Sequence, residues 1–400
     1  MCRPQGGFIL LLAAILLGGV MLGTVSVVRL VQQSQEQLQV QHVAEHAAEA
    51  LATIAARDLN FKAITNRAML ANEVVIGQLL GLNSWFMMTQ EGTQNLALLT
   101  AWVPYVNVIT RYMDQIVRQM EQPLRTGIEA AIFFQQSILR GLEGAQFAFH
   151  QASWMSTLFT VNNLLEASHP DYELALLNHQ TLLDLEQLWV SFQSRRSDPE
   201  QQQEYASLAS ASRDPFSTRR TYRWFRVLVA TAYKAGASEV YQRHGNMVWQ
   251  SIDTLSIHER LLLRSNEHRF GAGAYYIAER LPNRHRGRAY GDSYRRNPSA
   301  SRSAARRARE IRHRHRVPYQ YLLDSEVVSP SVTVVVRRPE IDEKPLLWAA
   351  GRAHIEYQRH QGFWPRADRM RERPNLHNAL WRVKPGSVSE ANRLLLGLQV

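Results

Sequence analysis

Residue types that could support hydrolytic chemistry occur together between Trp249 and His258, in the stretch WQSIDTLSIH. Asp253, Ser256 and His258 supply the carboxylate, hydroxyl and imidazole of a nucleophilic triad. The stretch does not have the strand, sharp turn and helix that present the nucleophile of a G-x-S-x-G motif, so a triad is unsupported. We expect Asp253 or Thr254 to cap the start of a helix instead. The sequence predicts no catalytic residues and a protein that is not an enzyme.

Two further patterns could hold a metal or a cofactor. His42 and His46 have the i, i+4 spacing of helical zinc ligands, but Glu45 is not at the glutamate position of HExxH and a third ligand is not evident. We expect surface histidines. Gly271-Ala272-Gly273 is an incomplete glycine motif without a clear strand before it, which indicates a turn. We therefore expect neither a metal nor a cofactor.

The excess positive charge lies in one segment, 264–316. It contains 15 Arg, no Lys and four acidic residues, a net charge of +11 that equals the charge of the whole chain. We expect a flexible, solvated segment, with contact to anionic lipid or surface polysaccharide as the alternative. Nucleic acid is disfavoured because aromatic residues do not interleave with the basic ones. The arginines favoured for contact with an anionic surface are Arg295, Arg296, Arg306, Arg307 and Arg309.

The run from Phe8 to Val28 is apolar and uncharged. A helix of about 21 residues is about 30 Å long, which matches the thickness of a bilayer's hydrocarbon core. Because the run is longer than the h-region of a secretory signal, we expect a retained anchor, with a cleaved signal as the alternative. Gly19 and Gly23 form a GxxxG pattern that could bring two such helices together. Arg3 favours a cytoplasmic tail at 1–7 and export of the remainder.

Beyond the anchor, apolar residues recur with helical period at Val43, Ala47, Ala50, Leu51 and Ile54. We expect a helix of about 50 residues that begins in the membrane. Its alanine-rich face, around Ala47, Ala50 and Ile54, should pack on the exported domain.

The remainder predicts an α+β fold that is mainly α. Pro104 and Pro123 indicate helix boundaries, and the apolar stretch 68–88 indicates a buried or surface helix, with a second membrane span as the alternative. Ser331–Arg338 is the clearest strand, and 353–358 and 379–383 are weaker candidates. The predicted segments are a tail 1–7, a transmembrane helix 8–28, a helical exported region 29–220, a mixed region 221–263, the basic segment 264–316 and a strand-containing region 317–400.

Several blocks of the sequence resemble a known family. The stretch NFKAITNRAMLANEVVIGQLLGLNSW at 60–85 is similar to a block of bacterial tight-adherence (Flp-type) pilus-assembly proteins that look like pseudopilins. Further blocks follow in the family's order: SRDPF at 212–216, WQSIDTLSIH at 249–258, 353–357, and NLHN at 375–378 leading to Trp381.

The resemblance implies a membrane-anchored structural or assembly component of a tight-adherence pilus or secretion system. Such a component would contact membrane lipid and other pilus or secretion proteins through packing. It would cross the bacterial inner membrane once, with most of the chain periplasmic or extracytoplasmic. A single-pass sensor or scaffold with an extracytoplasmic ligand-binding head is the alternative.

Overall fold

The computed structural model describes residues 6–175, 179–227, 229–243, 246–261, 264–277, 287–310, 316–324, 329–340, 346–359, 365, 366, 368, 370 and 372–388. It confirms the expected fold class: a long apolar N-terminal helix is followed by further helices and then by a mixed region with sheets.

Helices dominate the first half of the chain and strands the second. The helices are α1 Gly6–Leu99, α2 Pro104–Ser168, α3 His179–Glu186, α4 Pro199–Ala211, α5 Pro215–Thr218, α6 Gly291–Arg296 and α7 Pro298–Arg306, with a π-helical turn at Gln187–Ser191. The strands are β1 Glu173–Leu174, β2 Gln193–Arg196, β3 Tyr222–Arg226, β4 Ala230–Arg243, β5 Asn246–Leu261, β6 Arg264–Ile277, β7 Arg309–Glu310, β8 Gln320–Leu323, β9 Ser331–Arg338, β10 Leu347–Tyr357 and β11 Trp381–Gly386.

Helix α1 is longer than expected, with 94 residues instead of about 50. It contains no proline, and it continues through Gly77 and Gly81 because these two glycines are buried in packing contacts instead of being exposed to water. The stretch 68–88 is part of this helix, and its residues Met69, Ile76 and Leu80 belong to a hydrophobic core.

Helix α2 has 65 residues and contains Pro123 in its interior, so the boundary expected at that proline is wrong. Residues that follow the proline hold the helix in place, because Leu124 packs against a hydrophobic core to which Ile128 and Ile132 belong. Pro104 is at the first position of α2, where a proline costs no hydrogen bond, so the boundary expected there is confirmed.

The chain divides into two compact units, each assembled from separate stretches. Unit 1 comprises Met1–Phe61, Phe149–Ser194 and Leu323–Val400, and unit 2 comprises Lys62–Ala148 and Arg195–Leu322. The segments expected from the sequence followed chain order, whereas each unit combines parts that are far apart in sequence.

Unit 1 is built on an antiparallel sheet with the strand order β1-β9-β10-β11. The strand predicted at Ser331–Arg338 is confirmed as β9, and the two weaker candidates overlap β10 and β11. The first part of α1 packs on this sheet, and the Gln41 side chain donates a hydrogen bond to the Ala350 carbonyl oxygen of β10 (3.1 Å).

Unit 2 contains a sheet with the order β3-β4-β5-β6-β7, in which β4, β5 and β6 form a long antiparallel meander and β7 pairs in parallel. Trp249 of β5 joins a core with residues of α1 and α2, whereas Ile252 joins a second core with α7. Because side chains alternate along a strand, helices cover both faces of this sheet.

Two expectations about unit 2 are wrong. Gly271-Ala272-Gly273 lies inside β6 and is not a turn. Its glycines allow α1 to approach the strand, because a Cβ atom on Gly271 would overlap the Met88 carbonyl oxygen. The segment 264–316 is not a flexible loop where it is described: it forms β6, α6, α7 and β7, and the buried Ala300 and Ala304 fix α7 on the sheet.

Candidate functional site

The apolar N-terminal part of α1 is the clearest candidate for a functional surface. It is the one helix among the described residues that is long and apolar enough to cross a membrane, with an 18-residue window of mean hydropathy 2.4 and 0% burial. This criterion is one of length and composition, which a signal sequence near an N-terminus also meets. Gly19 and Gly23 have no atom of another group within 4 Å of a Cβ position, and Val28 is exposed. The Phe8 side chain lies outside the described side chains.

The alanine-rich face of α1 packs within unit 1. Of the predicted stripe, Val43, Ala47 and Leu51 are buried, and Ala50 and Ile54 are half-buried beside it. The contact is close: a Cβ atom on Gly351 of β10 would overlap the Ala44 carbonyl oxygen. The buried apolar residues of this part of the helix are Val40, Val43, Ala44, Ala47, Ala48, Leu51, Ala52, Ala55, Ala56 and Leu59.

A buried charge cluster in unit 2 was not predicted from the sequence. The Asp253 carboxylate of β5 accepts hydrogen bonds from Arg220 (Nη2–Oδ2 2.7 Å, Nε–Oδ1 3.0 Å) and from the Lys234 ammonium (Nζ–Oδ1 2.6 Å). The three side chains are at most 4% exposed. Burial lowers the pKa of Lys234, and the charge of Asp253 opposes this effect.

The charge cluster lies between the sheet and α1. A Cβ atom on Gly81 of α1 would be 2.9 Å from Arg220 Nη1, and one on Gly77 would overlap the Trp249 ring. Trp249 Nε1 donates to Glu73 Oε1 of α1 (2.8 Å). Because the cluster is closed to solvent, its geometry suits a stabilising role and offers no access to a substrate.

The residues considered for hydrolytic chemistry do not form a nucleophile–base pair. All of them lie in β5, so the helix start expected at Asp253 or Thr254 is wrong. Ser256 Oγ donates to Glu267 Oε1 (2.9 Å), and His258 Nε2 lies 2.9 Å from Asn297 Oδ1 of unit 2. These partners connect β5 to β6 and to the start of α7, which is a structural role.

The paired histidines of α1 lie on the helix surface. His42 Nδ1 is 3.7 Å from Glu45 Oε2, and His46 Nδ1 is 3.9 Å from Glu49 Oε2. Both imidazoles are exposed, and each faces its own glutamate. Across the described part of the chain, His, Cys, Asp and Glu side chains form no group of three that could hold a metal ion.

A second polar cluster, in unit 1, orders the loop that leads to β11. The Glu372 carboxylate accepts hydrogen bonds from Tyr357 of β10, from Arg359 and from the amides of Asn375 and Asn378. These hydrogen bonds lower the pKa of Glu372 to about 2 against the opposing effect of burial, and burial together with the Glu372 carboxylate raises the pKa of Tyr357. Trp381 Nε1 donates to the Asn375 carbonyl oxygen (3.2 Å), so the cluster fixes the first residue of β11.

The arginines predicted to contact an anionic surface lie on or near α6 and α7 of unit 2. Arg295, Arg296 and Arg306 are exposed. Arg307 pairs with Glu91 of α1 (3.0 Å), and the Arg309 side chain lies outside the described side chains.

A third surface, which we call the α2 stripe, is apolar and faces solvent in unit 2. Its residues recur at i, i+3, i+4, i+7, i+8, i+11 and i+15, the spacing of one helix face. The opposite face of the same helix segment is polar: Thr110 and Asp114 are buried or half-buried, and the hydroxyls of Thr100 and Thr110 are hydrogen bonded (2.7 Å). The stripe consists of Tyr105, Val108, Ile109, Tyr112, Met113, Ile116 and Met120.

No family model, no curated protein and no solved structure matches this chain. Within each unit, however, the blocks that carry the resemblance to pilus-assembly proteins touch one another. Gln78 donates to Asp214 Oδ2 (2.7 Å) and Glu73 accepts from Trp249 in unit 2. Asn60 exchanges two hydrogen bonds with the backbone of Trp381 in unit 1 (2.9 and 3.0 Å).

Proposed function

We propose that this protein is a membrane-anchored structural or assembly component of a tight-adherence type pilus or secretion system, and that it is not an enzyme. The observation that carries the proposal is the exposed apolar segment of α1, whose continuation in the same helix packs on the sheet of unit 1. A helix that continues without a break from a bilayer into a folded domain would hold that domain at a fixed distance from the membrane.

The interior contacts support a structural role. The polar residues of the resemblance blocks bond to helices and strands of their own unit, as Glu73 does with Trp249 and Asn60 with Trp381. The buried Asp253 cluster is likewise closed to solvent. Residues that pack in this way hold surfaces in place for partners, and we propose that other pilus or secretion proteins and membrane lipid are those partners.

We further propose that the chain crosses the bacterial inner membrane once, with units 1 and 2 on the periplasmic side. The positive charge of Arg3 favours a cytoplasmic position for the short segment before the apolar run. The exposed Arg295, Arg296 and Arg306 suit contact with anionic lipid or polysaccharide, and this contact would be weakened by salt.

Cell fractionation with protease access tests the anchor and its orientation. We expect the full chain to remain in the membrane fraction after a carbonate wash, and protease to digest it in spheroplasts but not in intact cells. Deletion of 8–28 should release the chain into the soluble fraction. A chain in which an unrelated apolar span of equal length replaces 8–28 serves as the control and should stay in the membrane.

The pilus assignment has its own test in the source bacterium. We expect loss of the gene to abolish surface pili, the full chain to restore them, and the chain without 8–28 to fail. Normal piliation in the absence of the protein would overturn the assignment while leaving the anchor intact.

A further inference from the structure

We infer that the α2 stripe is the contact surface for a second copy of this chain, and that two α2 helices pair antiparallel through it. The inference rests on the packing role proposed above and names a partner for it. The stripe is unusual because even its aromatic side chains are largely exposed: Tyr105 is 87% exposed and Tyr112 is 64% exposed. Apolar patches of this kind on a folded protein mark interaction sites.

The size of the stripe fits a protein partner. Its seven large side chains extend over 15 helical steps, about 22 Å of helix. Together they present several hundred Å², on the order of the about 800 Å² that each partner contributes to a stable interface. The exposed Trp102 extends the apolar surface into the turn before α2.

The charged residues of the same segment lie away from the stripe. Arg111 is exposed, and Arg118 pairs with Asp114 (2.8 Å) on the polar side of the helix. A partner helix can therefore cover the stripe and leave these groups in water.

The order of the side chains favours a second copy in antiparallel orientation. A twofold axis between Tyr112 and Met113 places Tyr105 opposite Met120 and Ile109 opposite Ile116. Aromatic rings then meet flexible methionines, and isoleucine meets isoleucine. Because the stripe has no charged residue, two copies can meet without burying an ion or opposing like charges.

Position-specific crosslinking in native membranes tests the pairing. The full chain carries one cysteine, so a Cys2→Ser background accepts single new cysteines. With a short bifunctional maleimide, we expect Met113→Cys to give a covalent dimer at least tenfold more efficiently than Gln122→Cys, an exposed control on another side of α2. Tyr105→Cys alone should not crosslink, whereas co-expressed, differently tagged Tyr105→Cys and Met120→Cys chains should.

The outcomes separate this inference from its competitors. Crosslinking of Tyr105→Cys to itself, or equal yields at Met113 and Gln122, would overturn antiparallel pairing. A fluorophore on Tyr105→Cys in proteoliposomes should shift its emission as the protein-to-lipid ratio rises. A shift that is independent of this ratio indicates lipid contact and also overturns the inference.

A charge introduced on the stripe provides a second measurement. Tyr112→Glu should reduce the yield of the Met113→Cys crosslink at least tenfold, because it places a charge in the paired surface. The circular dichroism spectrum should stay unchanged, because Tyr112 is exposed in the single chain. Fractionation reports on the anchor and crosslinking on the pairing, so either proposal can fail without the other.

Discussion

The two units use α1 in the same way but with different chemistry. In each, a strand glycine brings the helix backbone against a sheet: Gly351 meets Ala44 in unit 1, and Gly271 meets Met88 in unit 2. In unit 1 the part of the helix face that meets β10 is a row of alanines and other apolar residues, with a neutral hydrogen bond from Gln41 to Ala350. Its charged residues lie toward the ends, where Glu36 pairs with Arg338 of β9 (2.9 Å) and the buried Asp58 lies 3.1 Å from His150. In unit 2 the space between helix and sheet also contains the charges of Asp253, Arg220 and Lys234.

The two helix–sheet contacts should tolerate different kinds of substitution. A face of small apolar residues is sensitive to volume, because added atoms have no space. A buried cluster in which two cations share one carboxylate is sensitive to charge balance, because an unpaired buried ion is expensive. Volume changes and charge changes should therefore affect the two units differently.

Removal of the shared carboxylate should have the largest effect. Asp253→Asn keeps the shape of the side chain but leaves Arg220 and Lys234 buried without their anion, so we expect a loss of about 3–5 kcal/mol. Lys234→Met is the control: it leaves the Arg220–Asp253 pair intact and should cost far less. Urea unfolding of the detergent-solubilised chain measures both, and equal losses would contradict the charge-balance argument.

Adding a methyl group at the close contacts should have the next largest effect, in both units. Gly351→Ala and Gly271→Ala each place a Cβ atom against a helix carbonyl oxygen, and we expect about 1–3 kcal/mol of destabilisation for each. Gly127→Ala in α2, where a Cβ atom has open space, should stabilise the chain by about 0.5–1 kcal/mol. Hydrogen exchange should show the loss of protection for Gly351→Ala in unit 1 and for Gly271→Ala in unit 2.

Acid should weaken the loop of unit 1 that Glu372 orders. The pKa of Glu372 is about 2 in the folded state, below the ordinary 4.5, so its contribution is complete above pH 4.5 and is lost as the pH falls toward 2. Burial also lowers the pKa of His377, which adds a loss of the same sign below pH 6.5. We expect the protection factors for hydrogen exchange at 372–381 to fall over this range.

A matched variant identifies the group responsible for the acid effect. Glu372→Gln cannot titrate at this position. Its protection factors at 372–381 should therefore be lower than those of the unchanged protein at neutral pH, and they should change less between pH 4.5 and 2. An unchanged acid response would assign the effect to His377 or to another group.

Charges on the surface of unit 2 should matter least for stability. Arg295 and Arg306 are exposed, and we expect Arg295→Gln with Arg306→Gln to change the free energy of unfolding by less than about 0.5 kcal/mol. The same pair should lower binding to anionic vesicles at low salt. A large loss of stability would show that these arginines also stabilise the interior of unit 2.

Features with a local signal could be predicted from the sequence. The apolar run of α1, the alanine-rich face at Val43, Ala47 and Leu51, and the β-branched strand Ser331–Arg338 follow from period and composition. The α2 stripe has an equally regular signal from Tyr105 to Met120, which a search for helical period on that segment would have found.

Features that depend on strand register could not be predicted. Asp253 meets Lys234 and Arg220 across 19 and 33 residues. The pairing of β4 with β5 brings Asp253 near Lys234, and a backbone hydrogen bond from Arg220 to Gly236 of β4 (2.7 Å) adds Arg220. Gly271 and Gly273 suggest a turn until α1 is known to cross the strand. Pro123 shows the reverse case, in which core packing on one side of a residue overrides its local preference.

One consequence follows from the continuity of α1 within unit 1. Because the apolar segment and the face that meets β10 share one α-helix, the angle between them about the helix axis is set by residue count alone. Inserting one residue between Val31 and Glu36 would turn the apolar segment by about 100°, whereas seven would restore nearly the original angle. The number of residues in this short exposed stretch would thus determine how unit 1 is rotated about the axis of α1 relative to the apolar segment.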